Sequence, residues 1–167
     1  MADLIEFSNT RRVLEEYAVE FRNTYQDNLI RSDRIASGEL LNTVESRVVV
    51  GNAVLEVQLT LAEYWKWVEN DTRPHWAPAS AILRWVRIKP VLPRPDKTGR
   101  LPSPEQLAYL INRHIAQFGT RGSHDLEKTK AAVNPSFKAR LEEALALDVS
   151  ESVALMIRGE FQRIHFQ

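Results

Sequence analysis

Glu69, Asp71 and His75 are the nearest set of side chains in this chain whose types could hold a cation or move a proton. Their spacing matches no standard ligand pattern, and Pro74 makes the backbone before the imidazole a turn. The other imidazoles are no better placed. His114 falls on the apolar row of a helix, where a packed histidine is the ordinary outcome. His124-Asp125 lies in a loop with no partner identifiable from sequence, and His165 lies in the tail. Glu142 and Glu143 are adjacent helical positions and point apart. No Gly-x-Ser-x-Gly elbow, phosphate-binding loop or His-Glu-x-x-His pair occurs. The chain has no cysteine, which removes disulfides, Cys-ligated zinc, iron–sulfur clusters and thiol nucleophiles. These residues assign no catalytic, cofactor-binding or metal-binding role.

Two uneven features point to contact with a partner instead. All four tryptophans, Trp65, Trp67, Trp76 and Trp85, fall close together, with Tyr64 among them. Trp65 and Trp67 are two positions apart, so on a helix they cannot share one buried face. One of them belongs at a partner surface, where tryptophan is favoured. The second feature is charge. From Arg73 to Arg100 there are seven basic residues and one acid, Asp96, whereas the whole chain has 22 of each sign. A neutral chain with its charge so separated suits stacking of a positive face on a negative one. The interface candidates are Trp65, Trp67, Arg73, His75, Trp76, Arg94, Lys97 and Arg100.

The elements that must position these residues follow from periodicity. Leu14, Tyr17, Ala18, Phe21, Tyr25 and Leu29 recur at helical spacing and predict a helix from about Ser8 to Ile30. Ser32, Asp33, Ser37 and Gly38 break it. Alternation over Thr43–Val50, then Leu55, Val57, Leu59 and Leu61 against Glu56, Gln58 and Thr60, predicts a hairpin turning at Gly51-Asn52. The second strand is expected to bury Leu55, Val57, Leu59 and Leu61. Residues 62–72 return to helical spacing, with Leu61, Tyr64 and Val68 on one face. Pro78 suits a helix start, with Ile82, Trp85 and Val86 as the buried row and Pro90 as the stop. Residues 90–102 hold four prolines and a glycine and form an extended, basic arm. Ser103, Pro104 and Gln106 spell a capping box for a helix whose row is Leu107, Leu110, Ile111, His114, Ile115 and Phe118, ending at Gly119. The last long helix is expected over 135–158, with Phe137, Leu141, Ala144, Leu145, Val149, Val153, Met156 and Ile157 as its row and Gly159 as its stop. Residues 160–167 alternate weakly, as a strand or a frayed end.

The sum is an α+β fold: a small antiparallel sheet with a hairpin, packed against an N-terminal helix and C-terminal helices. The 167 residues suit a single domain spanning 1–167. A hydrophobic fraction of 44 % with 26 % charged residues is ordinary for a globular core. Zero formal charge argues against a surface that coats nucleic acid throughout. Neither a leader pattern nor an apolar run near the ~20 residues of a membrane span occurs, so a soluble, cytoplasmic protein without membrane contact is expected.

Three tracts resemble the neck and tail-completion proteins of tailed bacteriophages. They are Ser37-Gly38 with Leu40; the series Tyr64, Val68, Glu69, Thr72, Pro74, His75 and Pro78; and Leu107-Ala108 with Ile111 leading the C-terminal helices. The resemblance covers roughly residues 35–125. It departs at Asp71, where many members carry glycine before the threonine. It implies a structural virion protein forming a homo-oligomeric ring below the portal and adaptor, completing the neck and offering the tail its attachment surface. The implied partners are portal, adaptor and tail proteins, with packaged double-stranded DNA nearby, and the implied location is the virion, after assembly in the host cytoplasm. Two other readings stand beside it. One is a nucleic-acid-binding accessory domain using 73–100, where basic residues interleave with Trp76 and Trp85. The other is a small enzyme or nuclease using Glu69, Asp71 and His75.

Overall fold

In a computed structural model, residues 7–33, 35–50, 54–89, 91–95 and 97–164 are described. The elements follow in the order α1 (Ser8–Arg31), α2 (Glu39–Asn42), β1 (Glu45–Val50), β2 (Leu55–Thr60), α3 (Trp65–Glu69), α4 (Ala79–Ile88), α5 (Pro104–Phe118) and α6 (Asp125–Ile164). The fold is α+β, with one two-stranded antiparallel sheet among the described residues. Two compact units divide the chain. The first is built on Met1–Thr24, Glu45–Thr60 and Lys128–Gln167; the second on Tyr25–Val44 and Leu61–Glu127.

In the first unit, Val13, Leu14, Ala18 and Phe21 of α1 and Val133 and Ala144 of α6 are buried. The Tyr17 ring lies against Phe137 at 3.9 Å between centroids, and its hydroxyl donates to Asn134 at 2.8 Å. Arg140 reaches Glu20 at 2.6 Å and Glu16 at 3.7 Å. Asp148 of α6 caps α1. Its carboxylate accepts from the backbone N–H of Asn9 at 2.9 Å and of Thr10 at 2.8 Å, and from the Asn9 amide at 2.9 Å. A carboxylate is the natural partner of the orphan donors and positive dipole end of a helix start. Burial pushes the Asp148 carboxyl up, but the bonds from Thr10 and Asn9 outweigh it, and the net result lies below the usual carboxylate value.

The hairpin keeps the expected antiparallel alternation. Val48 faces Val57 and Ser46 faces Leu59, and the Ser46 hydroxyl donates to the Ala18 carbonyl at 2.7 Å. Leu55, Val57 and Leu59 are half-buried rather than buried, because a lone two-stranded ribbon has no neighbouring strand to widen its covered face. Leu61 falls just past the strand and is also half-buried. The expected Gly51-Asn52 turn lies outside the described residues, as do Pro90 and Asp96 of the arm.

The last helix differs most from expectation. It starts at Asp125, ten residues before Pro135, and runs through Gly159 to Ile164. Pro135 lies inside it, and Gly159 does not stop it. Of the expected buried row, Ala144 alone is buried; Leu145, Val149, Val153, Met156 and Ile157 are exposed. The 160–164 part of the supposed strand or frayed tail is helical.

The second unit is organised around a buried carboxylate. Glu69, 4 % exposed, accepts from the Tyr25 hydroxyl at 3.2 Å, the Ser123 hydroxyl at 3.3 Å and the Leu126 N–H at 2.9 Å. One side chain at the end of α3 thereby ties α1 to the first turn of α6. Burial, then the charge and hydrogen bond of Glu69, push the Tyr25 phenol well above its ordinary value. Beside this group, the Ser32 hydroxyl donates to the buried Asp125 at 2.6 Å. The backbones of Thr72 and Thr120 form an isolated bridge, with the Thr72 N–H donating to the Thr120 carbonyl at 2.9 Å. Gly119 and Gly122 make this approach possible. A Cβ on Gly119 would lie 1.9 Å from the Thr72 oxygen, and one on Gly122 would lie 2.1 Å from the Glu69 oxygen. Gly119 also has φ +73°, a region side chains rarely adopt.

Candidate interaction surface

Ser103 starts α5 as its capping box predicts. Its hydroxyl accepts from the Gln106 N–H at 3.2 Å, and the Gln106 side chain accepts from the Ser103 N–H at 3.0 Å. Of the row expected to be buried, Ile115 alone is fully buried. Ala108, Asn112 and Ile115 are buried, and the Asn112 amide makes two 2.9 Å bonds to the Ala77 backbone. Leu107 and Ile111 are half-buried, and Leu110, His114 and Phe118 are exposed. The reason is angular. At ~100° per residue the apolar positions of α5 sweep an arc of about 160°, wider than one contact face needs. The Asn112–Ala77 bonds fix which edge of that arc turns inward.

The uncovered edge lines a groove of about 1310 Å³ in the second unit, with α3 and α4 as its other walls. Trp67 from α3, Trp85 from α4 and Phe118 from α5 contribute aromatic rings, and Phe118 and Trp67 are each 68 % exposed. His114 stacks near Phe118 with ring centroids 4.8 Å apart. The expected buried row of α4 is not buried: Ile82 and Val86 are half-covered and Trp85 is exposed, since no α4 residue is fully enclosed. Of the face expected for residues 62–72, Val68 is half-buried and Tyr64 exposed, and the buried residue is Glu69.

The interface candidates separate into distinct places. Trp67, Arg73 and His75 line one recess of about 610 Å³, where the rings of Trp67 and His75 lie 6.5 Å apart. Trp65 is half-buried, with the Lys66 ammonium 5.9 Å above its ring. Trp76 is 62 % exposed and lies 6.4 Å from Tyr109. Arg94 and Arg100 line a hollow of about 740 Å³ with Tyr109 and Leu110. Lys97 is exposed on the arm and lines none of these three. Leu110, Ile111, Trp85 and Phe118 were not among the candidates; the over-wide apolar arc of α5 was the available signal.

Glu69, Asp71 and His75 do not converge. Glu69 turns inward. Asp71 accepts from the Gly122 N–H at 2.8 Å and pairs with His124 at 3.4 Å, and the Gly122 bond, ahead of His124, holds its carboxyl below the usual range. The His75 Nδ1 lies 2.7 Å from the Arg73 carbonyl. Among the described residues no three His, Asp or Glu side chains gather as a metal site. Asp71 thus makes a backbone contact of its own. Among the described residues no helix is long and apolar enough to cross a membrane.

Comparison with known proteins returned no matching family model, no matching curated protein and no matching solved structure.

Proposed function

We propose that this chain is a structural protein of a tailed-bacteriophage neck, forming a ring that joins the portal and adaptor assembly to the tail. The observation that carries the reading is the uncovered aromatic groove of the second unit. Large contiguous apolar surface is uncommon on a solitary protein and marks a contact site. Tryptophan and phenylalanine rings are the side chains that anchor such contacts. The resemblance over residues 35–125 supplies the identity of the assembly.

The basic segment supports a protein neighbour over nucleic acid. Arg87 pairs with Glu105 at 3.0 Å and Lys89 with Asp33 at 3.1 Å, so the fold itself brings acids to it. The basic residues that interleave with Trp76 and Trp85 are therefore partly neutralised, whereas single-strand binding uses an open positive track beside stacking rings. The arm carrying Arg94, Lys97 and Arg100 is rich in proline, and a stiff segment suits a defined docking site.

The test is imaging of virions, heads and tails with and without this chain. Heads and tails that fail to join in its absence, with antibody label at the neck when it is present, agree with the proposal. Normal joining without it ends the neck reading. A lone monomer that shifts labelled DNA, with affinity falling steeply with salt, favours the nucleic-acid reading instead.

A further inference from the structure

We propose that the groove of the second unit receives the stretch Leu145–Ile157 of α6 from a second copy of this chain. The inference rests on the self-association part of the proposed function and not on its virion part.

Three observations carry it. The first is that α6 has an exposed apolar stripe of its own. Leu145, Val149, Val153 and Met156 recur at i, i+4, i+8 and i+11, and all four are exposed. At ~100° per residue they stay within about 80° of arc, a narrow seam of the kind that seats in a groove. The second is reach. The edge of α5 that lines the groove runs from Leu110 to Phe118, about 12 Å at 1.5 Å per residue, and the stripe from Leu145 to Met156 spans about 16 Å, enough to cover it end to end. The third is charge. Residues 142–157 hold Glu142, Glu143, Asp148 and Glu151 and no basic residue, whereas the groove is lined by Arg121 and by Lys89, with one acid, Asp33, which pairs with Lys89. Asp148 is spent on the α1 cap, which leaves three exposed glutamates to face Arg121 at the groove.

Such a contact uses two different surfaces, one on each copy, so it is heterologous. Repeated, it closes a ring if the rotation per step allows and otherwise grows a filament. Each subunit donates one helix and accepts another.

Two exposed positions test it in the full chain. Phe118→Asp places a carboxylate in the groove, and Val153→Asp places one on the stripe. Both sites are exposed, so melting should stay at the wild-type value. Light scattering at about 100 µM, where a micromolar Kd gives nearly complete association, reads the mass. The wild type is expected to associate, and each variant alone to require at least ~10-fold higher concentration, as for loss of an anchor residue. Mixing the two variants should restore a species of twice the chain mass, because one intact groove then meets one intact stripe. Leu110→Asp with Met156→Asp repeats the experiment at independent positions if either first variant melts early. A wild type that stays monomeric at this concentration overturns the inference, as does a mixture that stays monomeric. Variants that associate like the wild type overturn the choice of surface while leaving self-association standing. Neck location is read separately, from the labelled virions.

Discussion

Replacing Asp148 by Ala strips acceptors from three N–H donors at once, two of them on the backbone at the start of α1. Losing a helix cap costs ~0.5–2 kcal/mol, typically about 1 for the substitution. Losing a negative charge at the positive end of a helix costs a further ~0.3–1 kcal/mol, more when partly buried. Asp148 is fully buried and Thr10 is 6 % exposed, so water is a poor substitute acceptor at Thr10. Asn9 is half-buried and recovers part of its loss from solvent. The sum is about 2 kcal/mol. With an m-value of ~1–3 kcal/mol/M for urea, the unfolding midpoint should fall by about 0.7–2 M. Asp148→Asn keeps one acceptor oxygen without the charge and should lose about half as much. Circular dichroism against urea makes the measurement. A midpoint for Asp148→Ala within ~0.2 M of the wild type, at unchanged m, would refute the assignment of this carboxylate as the α1 cap.

The same residue sets an acid limit. Its folded pKa lies below the ordinary carboxylate value of 3.8. The stability it contributes is therefore fully present above about pH 4 and is lost as pH falls through the folded value. The difference between wild type and Asp148→Asn should shrink over that acid range. A difference that stays constant down to about pH 2 contradicts the hydrogen-bonded carboxylate.

Glu69→Ala leaves the Tyr25 hydroxyl and the Leu126 N–H without their Glu69 acceptor and removes one of the partners of Ser123; at ~1–3 kcal/mol per buried unsatisfied group, a loss of a few kcal/mol in thermal or urea unfolding is expected. The raised Tyr25 pKa makes stability fully present below the unfolded value of about 10 and progressively lost above it, so Tyr25→Phe should flatten the alkaline fall in melting temperature. Gly119→Ala drives a Cβ into the Thr72 carbonyl in a positive-φ region and should cost more than ~1 kcal/mol, whereas Gly99→Ala meets no atom within 4 Å and bears its φ strain alone. Changing Arg94, Lys97 and Arg100 together to Ala should leave the melting temperature nearly unchanged, since exposed charge pairs contribute ~0–1 kcal/mol each, while head–tail joining fails.

Local signals decided what was legible from the residues. Leu14, Ala18, Phe21, Tyr25 and Leu29 mark the inward face of α1 because each is large or closely packed and each is buried. Ser103 and Gln106 mark the start of α5 because a capping box closes within four residues. The hairpin register follows from period two alone. The start of α6 was not legible for the converse reason. Pro135 resembles a first helical position and Gly159 a stop, yet the true first turn has its Leu126 N–H satisfied by Glu69, 57 positions away. A local trace stands beside it: the Ser123 hydroxyl accepts from the Asp125 N–H at 3.4 Å, and Asp125 and Glu127 fall in the first turn. Pro135 lies in the helix interior, where a proline ordinarily costs ~3 kcal/mol. The role of Glu69 was hidden in the same way. Beside Asp71 and His75 it reads as chemistry, while its actual partners, Tyr25 and Ser123, lie in other parts of the sequence.

The interaction surface was hidden by a different ambiguity. Periodicity reports that a face is apolar; it does not report what covers it. The row Leu107, Leu110, Ile111, His114, Ile115, Phe118 and the stretch Leu145, Val149, Val153, Met156 of the α6 row both read as core. Nothing along the chain separates burial within a subunit from burial between subunits, because both demand the same side chains. The fold uses up only one edge of each helix. On α5 that edge is Ala108, Asn112 and Ile115, held by the Ala77 backbone; on α6 it is Ala144 and Asp148, the latter held by α1. Each remaining edge is apolar and largely uncovered, and one lies in an acidic stretch of chain while the other lines a groove that includes Arg121. An apolar surplus on two helices of one subunit, with opposite charge beside each, is what a heterologous contact between identical chains requires.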